Sequence, residues 1–189
     1  MTAVTRRKRV DAVRNRERVL VAAREVFADA GLDACMDVIA ERAGVGKATI
    51  YRSFPTKEHL IAGIAVDRLA HVERLLTEAL DDDNAGAAFR RVLVAMAEAN
   101  AGDRVMLEAL RLSATVPELA EARQAATTAL ERLMRRAKSQ GRLRRDATPD
   151  DVRVLLSGLS QTLAAEQQHD TRLWRRYGNL IADALGAVG

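Results

Sequence analysis

The stretch Met36–Phe54 reads MDVIAERAGVGKATIYRSF, and its reading decides the fold. Met36, Ile39, Ala40 and Ala43 recur at three- and four-residue spacing, which predicts a short helix over 36–43. Gly44-Val45-Gly46 then makes a tight turn, and a second short helix follows over 47–54, ended by Pro55. Ala40 and Ala43 are small enough to let the two helices pack closely, and Gly44 permits a bend that a side chain would obstruct. Two short helices joined by a three-residue turn cross steeply, so the second can enter the DNA major groove while the first crosses the backbone. Val45 and Ile50 fall on the inner face, and Lys47, Ala48, Thr49, Tyr51, Arg52 and Ser53 on the outer one.

Working outward, the pattern upstream predicts a first helix from about Asn15 to Ala30. Val19, Ala22, Ala23, Val26, Phe27 and Ala30 lie on one face, and Gly31 is its C-terminal stop. Asp33 or Cys35 lies where the N-cap of the 36–43 helix belongs. Downstream, Thr56 is a capping residue with Glu58 in the first turn, opening a long fourth helix that reaches Leu80 before Asp81-Asp82-Asp83-Asn84. Five further helices follow, near 86–101, 103–113, 117–140, from Thr148-Pro149-Asp150-Asp151 onward, and from Asp170 onward. About nine helices make the chain all-α. It divides into a helix-turn-helix region over 1–57 with a basic N-terminal arm, and a helical body over 58–189.

Composition agrees. Hydrophobic residues are 48% of the chain but aromatics only 3%, and the apolar content is mostly Ala, Leu and Val, which favours helix. No alternating run suggests a strand. Charge is unevenly placed: residues 1–57 hold twelve Lys and Arg against seven Asp and Glu, whereas 58–189 hold eighteen against nineteen. The excess positive charge therefore belongs to the first third. Arg6-Arg7-Lys8-Arg9 forms an arm that attracts polyanionic phosphate by displacing condensed counterions.

Several classes lose support. The apolar runs fall short of the roughly 20 residues that span a bilayer, and the basic start has no apolar stretch behind it as a secretory signal would. Cys35 is the single cysteine, so no internal disulfide forms. His59, His71 and His169 have no metal-ligand spacing, so no metal or cofactor is expected. No phosphate loop, nucleophile elbow or dinucleotide fingerprint appears, which argues against an enzyme. A cytoplasmic protein without a membrane partner is the expectation.

The segment from about Asn15 to Leu60 resembles the TetR family of bacterial regulators. The resemblance rests on Ala22-Ala23, Val26-Phe27, Gly31, Ile39-Ala40, Ala43-Gly44-Val45, Thr49-Ile50-Tyr51, Phe54-Pro55 and Lys57-Glu58. Beyond it the likeness is helix count, Thr148-Pro149-Asp150-Asp151 and Trp174-Arg175-Arg176-Tyr177. Cys35 departs from the pattern: many members carry Ser or Thr there, capping the second helix and touching phosphate, and cysteine is a poor hydrogen-bonding substitute.

The resemblance implies a regulator, most often a repressor, that binds a near-palindromic double-stranded operator as a homodimer and is released by a small molecule. By position it implies that Lys47 and Ala48 face base edges, Lys47 toward guanine and Ala48 toward a thymine methyl. Thr49, Tyr51 and Lys57 would contact phosphate, Arg52 and Ser53 backbone or base edges, and Arg9 the adjacent minor groove. Read without the family, Lys47 and Arg52 are equally solvated charges and Tyr51 a core aromatic with an exposed hydroxyl. In the family the last two helices pair with those of a second chain. Here that would engage Leu155, Leu156, Leu159 and Leu163 with Tyr177, Leu180 and Ile181. The helices over about 60–140 would enclose the effector, with Leu93, Met96, Met106, Leu110, Arg111 and Met134 as candidate lining residues and the fourth helix as transmitter. The rival readings are a helical small-molecule-binding protein, a regulator acting without a ligand, and a redox role for Cys35.

Overall fold

The computed structural model describes residues 3–101, 104–112 and 116–187, with the side chains of residues 3–10, 104, 107, 110 and 111 outside that description. Among the described residues there are nine α-helices. They are α1 (Ala3–Ala30), α2 (Met36–Ala43), α3 (Lys47–Ser53), α4 (Lys57–Glu78), α5 (Ala85–Ala99), α6 (Arg104–Leu112), α7 (Pro117–Ser139), α8 (Pro149–Ala165) and α9 (Thr171–Leu185). A single 3-10 turn over Ala79–Asp81 closes α4. The fold is all-α as expected; the one β feature described is an isolated bridge between Leu143 and Gly186.

Helix boundaries follow local chemistry. The Thr56 hydroxyl accepts from the His59 N–H at the start of α4, and the Asn84 side chain accepts from Ala87 N–H at the start of α5. Thr148 and Asp151 form a reciprocal capping box at α8, in which each side chain accepts the other's backbone N–H. The Asp151 carboxyl is held below the ordinary aspartate range, first by the Thr148 hydroxyl and then by backbone N–H donation. One boundary differs from expectation: α1 begins at Ala3, not near Asn15. Residues 3–14 contain no Gly or Pro and are rich in Arg, Lys and Ala, so nothing local stops the helix. Arg9 therefore stands on a helix and not in an extended arm, and its side chain lies outside the described residues. Ala30, expected on the inner face, is exposed in the last turn of α1.

Two apolar clusters hold the helices together. The first joins Val19, Phe27, Ile39, Ile50 and Phe54 of the N-terminal region to Leu60, Ile61 and Ile64 of α4, and reaches Val105 and Ala109 of α6 and Leu119 of α7. The second gathers Leu76, Phe89, Leu93, Leu133, Met134, Val152 and Leu185 from α4, α5, α7, α8 and α9. α4 and α7 contribute to both. α5 and α9 approach closely: a Cβ at Gly178 would stand 3.0 Å from the Ala97 Cβ and 3.2 Å from the Val94 Cα. That contact is fastened by Arg90 to Asp183 and by Arg175 to Glu98.

Candidate DNA interface and cavity

The helix-turn-helix is built from three helices. Gly44 closes α2 in the left-handed region, at φ 61°, where its N–H returns to α2 carbonyls. α3 begins directly after Gly46 and buries Ile50 completely, with Phe54 sealed behind it. With Ile50 inward, Lys47, Ala48, Tyr51 and Arg52 are exposed, and Thr49 and Ser53 are half-buried at the edges of the same face. Tyr51 is not a core aromatic, since 45% of it is open to solvent. Cys35 is the N-cap residue of α2 and its side chain makes no capping hydrogen bond, in line with its chemistry.

Two of the expected contact residues have partners that sequence reading missed. Lys47 Nζ donates to Asp37 Oδ2 at 2.5 Å, so α2 holds the first side chain of α3. This hydrogen bond and the Asp37 charge raise the ammonium above the ordinary lysine range. Lys57 Nζ donates to the Leu32 carbonyl at 2.9 Å and ties the start of α4 to the loop after α1. One of its three protons is committed there.

Two arginines of α1 were also missed. Arg18 Nη2 donates to the Gly44 carbonyl at 3.1 Å and holds the turn. Arg16 Nη1 donates to the Ser53 carbonyl at 3.3 Å, and its guanidinium lies 4.3 Å from the centre of the Phe54 ring. Nothing local in the sequence marks these contacts, because their partners lie 26 and 37 residues away.

The body encloses a cavity of about 690 Å³, a size suited to a small organic ligand. α4, α6, α7 and α8 surround it, with the C-terminal parts of α1 and α5. Met96 and Met106 are among its lining residues. Leu93 and Met134 are not: they are 1% and 2% exposed and are closed in by the second core, so their sides of α5 and α7 are filled by neighbours and leave no surface on the cavity. The side chains of Leu110 and Arg111 lie outside the described residues. A polar chain that no local pattern announces crosses the wall: Arg68 Nη2 donates to Asn100 Oδ1 at 2.7 Å, and Asn100 Nδ2 donates to Ser160 Oγ at 3.0 Å. Ser160 is a buried polar residue, 6% exposed.

On α8 and α9, Leu155 and Leu180 are exposed, as is Val154. Leu159, Tyr177 and Ile181 are half-buried. Leu156 and Leu163 are enclosed within the protomer, which corrects their place on a partner-facing stripe: their side of α8 packs inward.

Comparison with known proteins meets this geometry at both ends of the chain. Residues 19–64 match the profile of bacterial regulatory proteins of the tetR family, and residues 81–186 that of the transcriptional regulator SbtR-like C-terminal domain. The chain belongs to the TetR family. A TetR transcriptional regulator from Streptomyces coelicolor is 30% identical over 92% of this chain and 99% of its own, with a TM-score of 0.68. A TetR regulatory protein from Mycobacterium vanbaalenii is 32% identical over 95% and 99%, with a TM-score of 0.65. The repressor of a Stenotrophomonas maltophilia multidrug efflux pump shares the fold at 22% identity, 92% and 91% coverage and a TM-score of 0.63. No curated protein matches the chain. As a TetR-family regulator the chain carries a DNA-binding helix-turn-helix in α2 and α3. Among the described residues no helix is long and apolar enough to cross a membrane.

Proposed function

We propose that this TetR-family chain is a cytoplasmic repressor that binds a near-palindromic operator as a homodimer and is released when a small molecule fills the cavity of the body. One observation carries the reading: the core that turns the polar face of α3 outward and the cavity share four helices. α1, α4, α6 and α7 all line the cavity and all enter the core that seats Ile50 and Phe54. A ligand that prefers one placement of α4 and α6 thereby biases the placement of α3. In this proposal Lys47 and Ala48 read bases. Thr49, Tyr51, Arg52, Ser53 and the remaining donors of Lys57 hold phosphates. Leu155 and Leu180, with Val154, form the exposed apolar part of the pairing surface of α8 and α9. The fold shared with a named repressor supports the sign of regulation.

The test is retardation of the fragment upstream of the chain's own gene at low ionic strength, with sedimentation to weigh the complex. Two chains per fragment is the expected result. Absence of retardation of any such fragment would overturn the reading.

A further inference from the structure

We propose that Arg16 and Arg18 are positioning residues for operator reading: from a single turn of α1 they fix the DNA-facing helix α3 at both of its ends. The inference rests on the operator binding proposed above and names residues that make it selective.

α3 has seven residues, too few to hold a direction of its own. Its N-cap is Gly46, which offers no side-chain cap. Its first side chain, Lys47, is tied to Asp37 by an exposed pair, a weak restraint. Its last carbonyls have no partner within the helix. The chain leaves it in extended form at Phe54, ahead of Pro55, which has no N–H to offer.

The two arginines act at those two ends. Arg18 Nη2 donates to the carbonyl of Gly44 in the turn before α3. Gly44 leaves the space this needs, since a Cβ there would stand 2.6 Å from that same nitrogen. Arg16 Nη1 donates to the carbonyl of Ser53, the last residue of α3, where the helix dipole favours a cation. The same guanidinium lies 4.3 Å from the centre of the Phe54 ring, so one group holds both the final carbonyl and the residue that follows it. The ring in turn abuts α4, where a Cβ at Gly63 would stand 2.8 Å from Phe54 Cε1 and 3.5 Å from Arg16 Nη2. α1 is thus a splint across α3.

A hydrogen bond to a base edge is lost when α3 tilts, whereas attraction to phosphate persists along the charged backbone. A loosened α3 therefore loses its preference for the operator before it loses affinity for DNA.

The experiment uses the full chain and combines Arg16→Lys with Arg18→Lys. Both side chains are exposed, and both charges are kept. A lysine ammonium cannot both reach the Ser53 carbonyl and lie flat on the Phe54 ring as a guanidinium does. Anisotropy titrations compare the fragment upstream of the chain's own gene with unrelated DNA at several salt concentrations. The preference should fall about tenfold, with affinity for unrelated DNA and its salt dependence unchanged. Lys47→Ala should cost less preference in the doubly substituted chain than in the parent, because Arg16 and Arg18 act through α3. Without DNA, the Phe54 N–H, which donates to the Ile50 carbonyl, should exchange several-fold faster. An undiminished preference, an equal loss on both DNAs, additive effects with Lys47→Ala or unchanged exchange would overturn the inference. A parent chain that shows no preference strikes the proposed function instead, and the exchange measurement then still decides whether the arginines hold α3.

Discussion

Around Gly44 the turn and the outward face of α3 are set by residues within a turn or two, and Arg16 and Arg18 of α1 add ties from farther along the chain. Around Arg68 the partners come from Asn100 and Ser160, 32 residues away and then 60 more. The DNA-binding region is a local construction: Ala40 and Ala43 admit a close crossing, Gly44 bends the chain, and Ile50 turns the polar face of α3 outward. The body is a non-local one, in which the same kind of residue ends in a core or on a cavity according to how five helices meet. Met134 and Met106 have the same chemistry and opposite surroundings. Local construction leaves a readable signature, and non-local construction leaves only helices.

The largest expected effect tests whether the two regions are mechanically separate. Phe54→Ala removes a ring that is 1% exposed and should cost about 3–5 kcal/mol in urea unfolding. The single tryptophan, Trp174, is buried in α9, so its fluorescence follows the body while far-ultraviolet dichroism follows every helix. Since α4 and α7 serve both cores, the two signals should move together in this variant. Non-coincident curves would separate the regions.

The next effect sharpens the roles within α3. Lys47→Ala should reduce discrimination between operator and unrelated DNA by about 1–3 kcal/mol. Tyr51→Phe should weaken binding to all sequences alike by about 1 kcal/mol. Equal loss of discrimination in both variants would contradict the division into base and phosphate contacts.

A smaller effect belongs to the body. Thr148→Ala removes the cap of α8 and should cost about 1 kcal/mol at neutral pH. The Asp151 carboxyl is depressed when folded, so the stability it adds is present above the ordinary aspartate value and is lost as pH falls through its lowered one. Denaturation midpoints between neutral and acidic pH should therefore fall less steeply in Thr148→Ala than in the parent chain.

The smallest concerns Asp37. Its bond to Lys47 is exposed on both sides, so it is a weak restraint. Asp37→Asn should tighten binding to unrelated DNA a few-fold and steepen its salt dependence, as measured by anisotropy titration at several salt concentrations. Weaker binding would show instead that Asp37 positions Lys47 for contact.

The legible parts of the molecule follow the same division. The bounds of α2 were readable because Met36 begins an apolar period and Gly44 ends it. The starts of α8 and α9 were readable because Thr148 and Asp170 cap them. The start of α1 was not, since residues 3–14 carry no cap or breaker to mark one. On the site side, the outward face of α3 was readable from Ile50 alone. The grip of Arg16 and Arg18 on that motif was not, and neither was the Asp37 bond to Lys47, because helical period says which face a residue takes and nothing of what meets it there. Leu156 and Leu163 show the same limit: their stripe is apolar on a side that the protomer itself covers.

In the proposed function two chains set their α3 helices into successive major grooves of one duplex. Hydroxyl-radical footprinting of the upstream fragment tests it most directly. Two protected patches, with centres about 34–36 Å apart along the helix axis and related by the dyad of the site, are predicted. One patch, or protection spread evenly along the fragment, would contradict it.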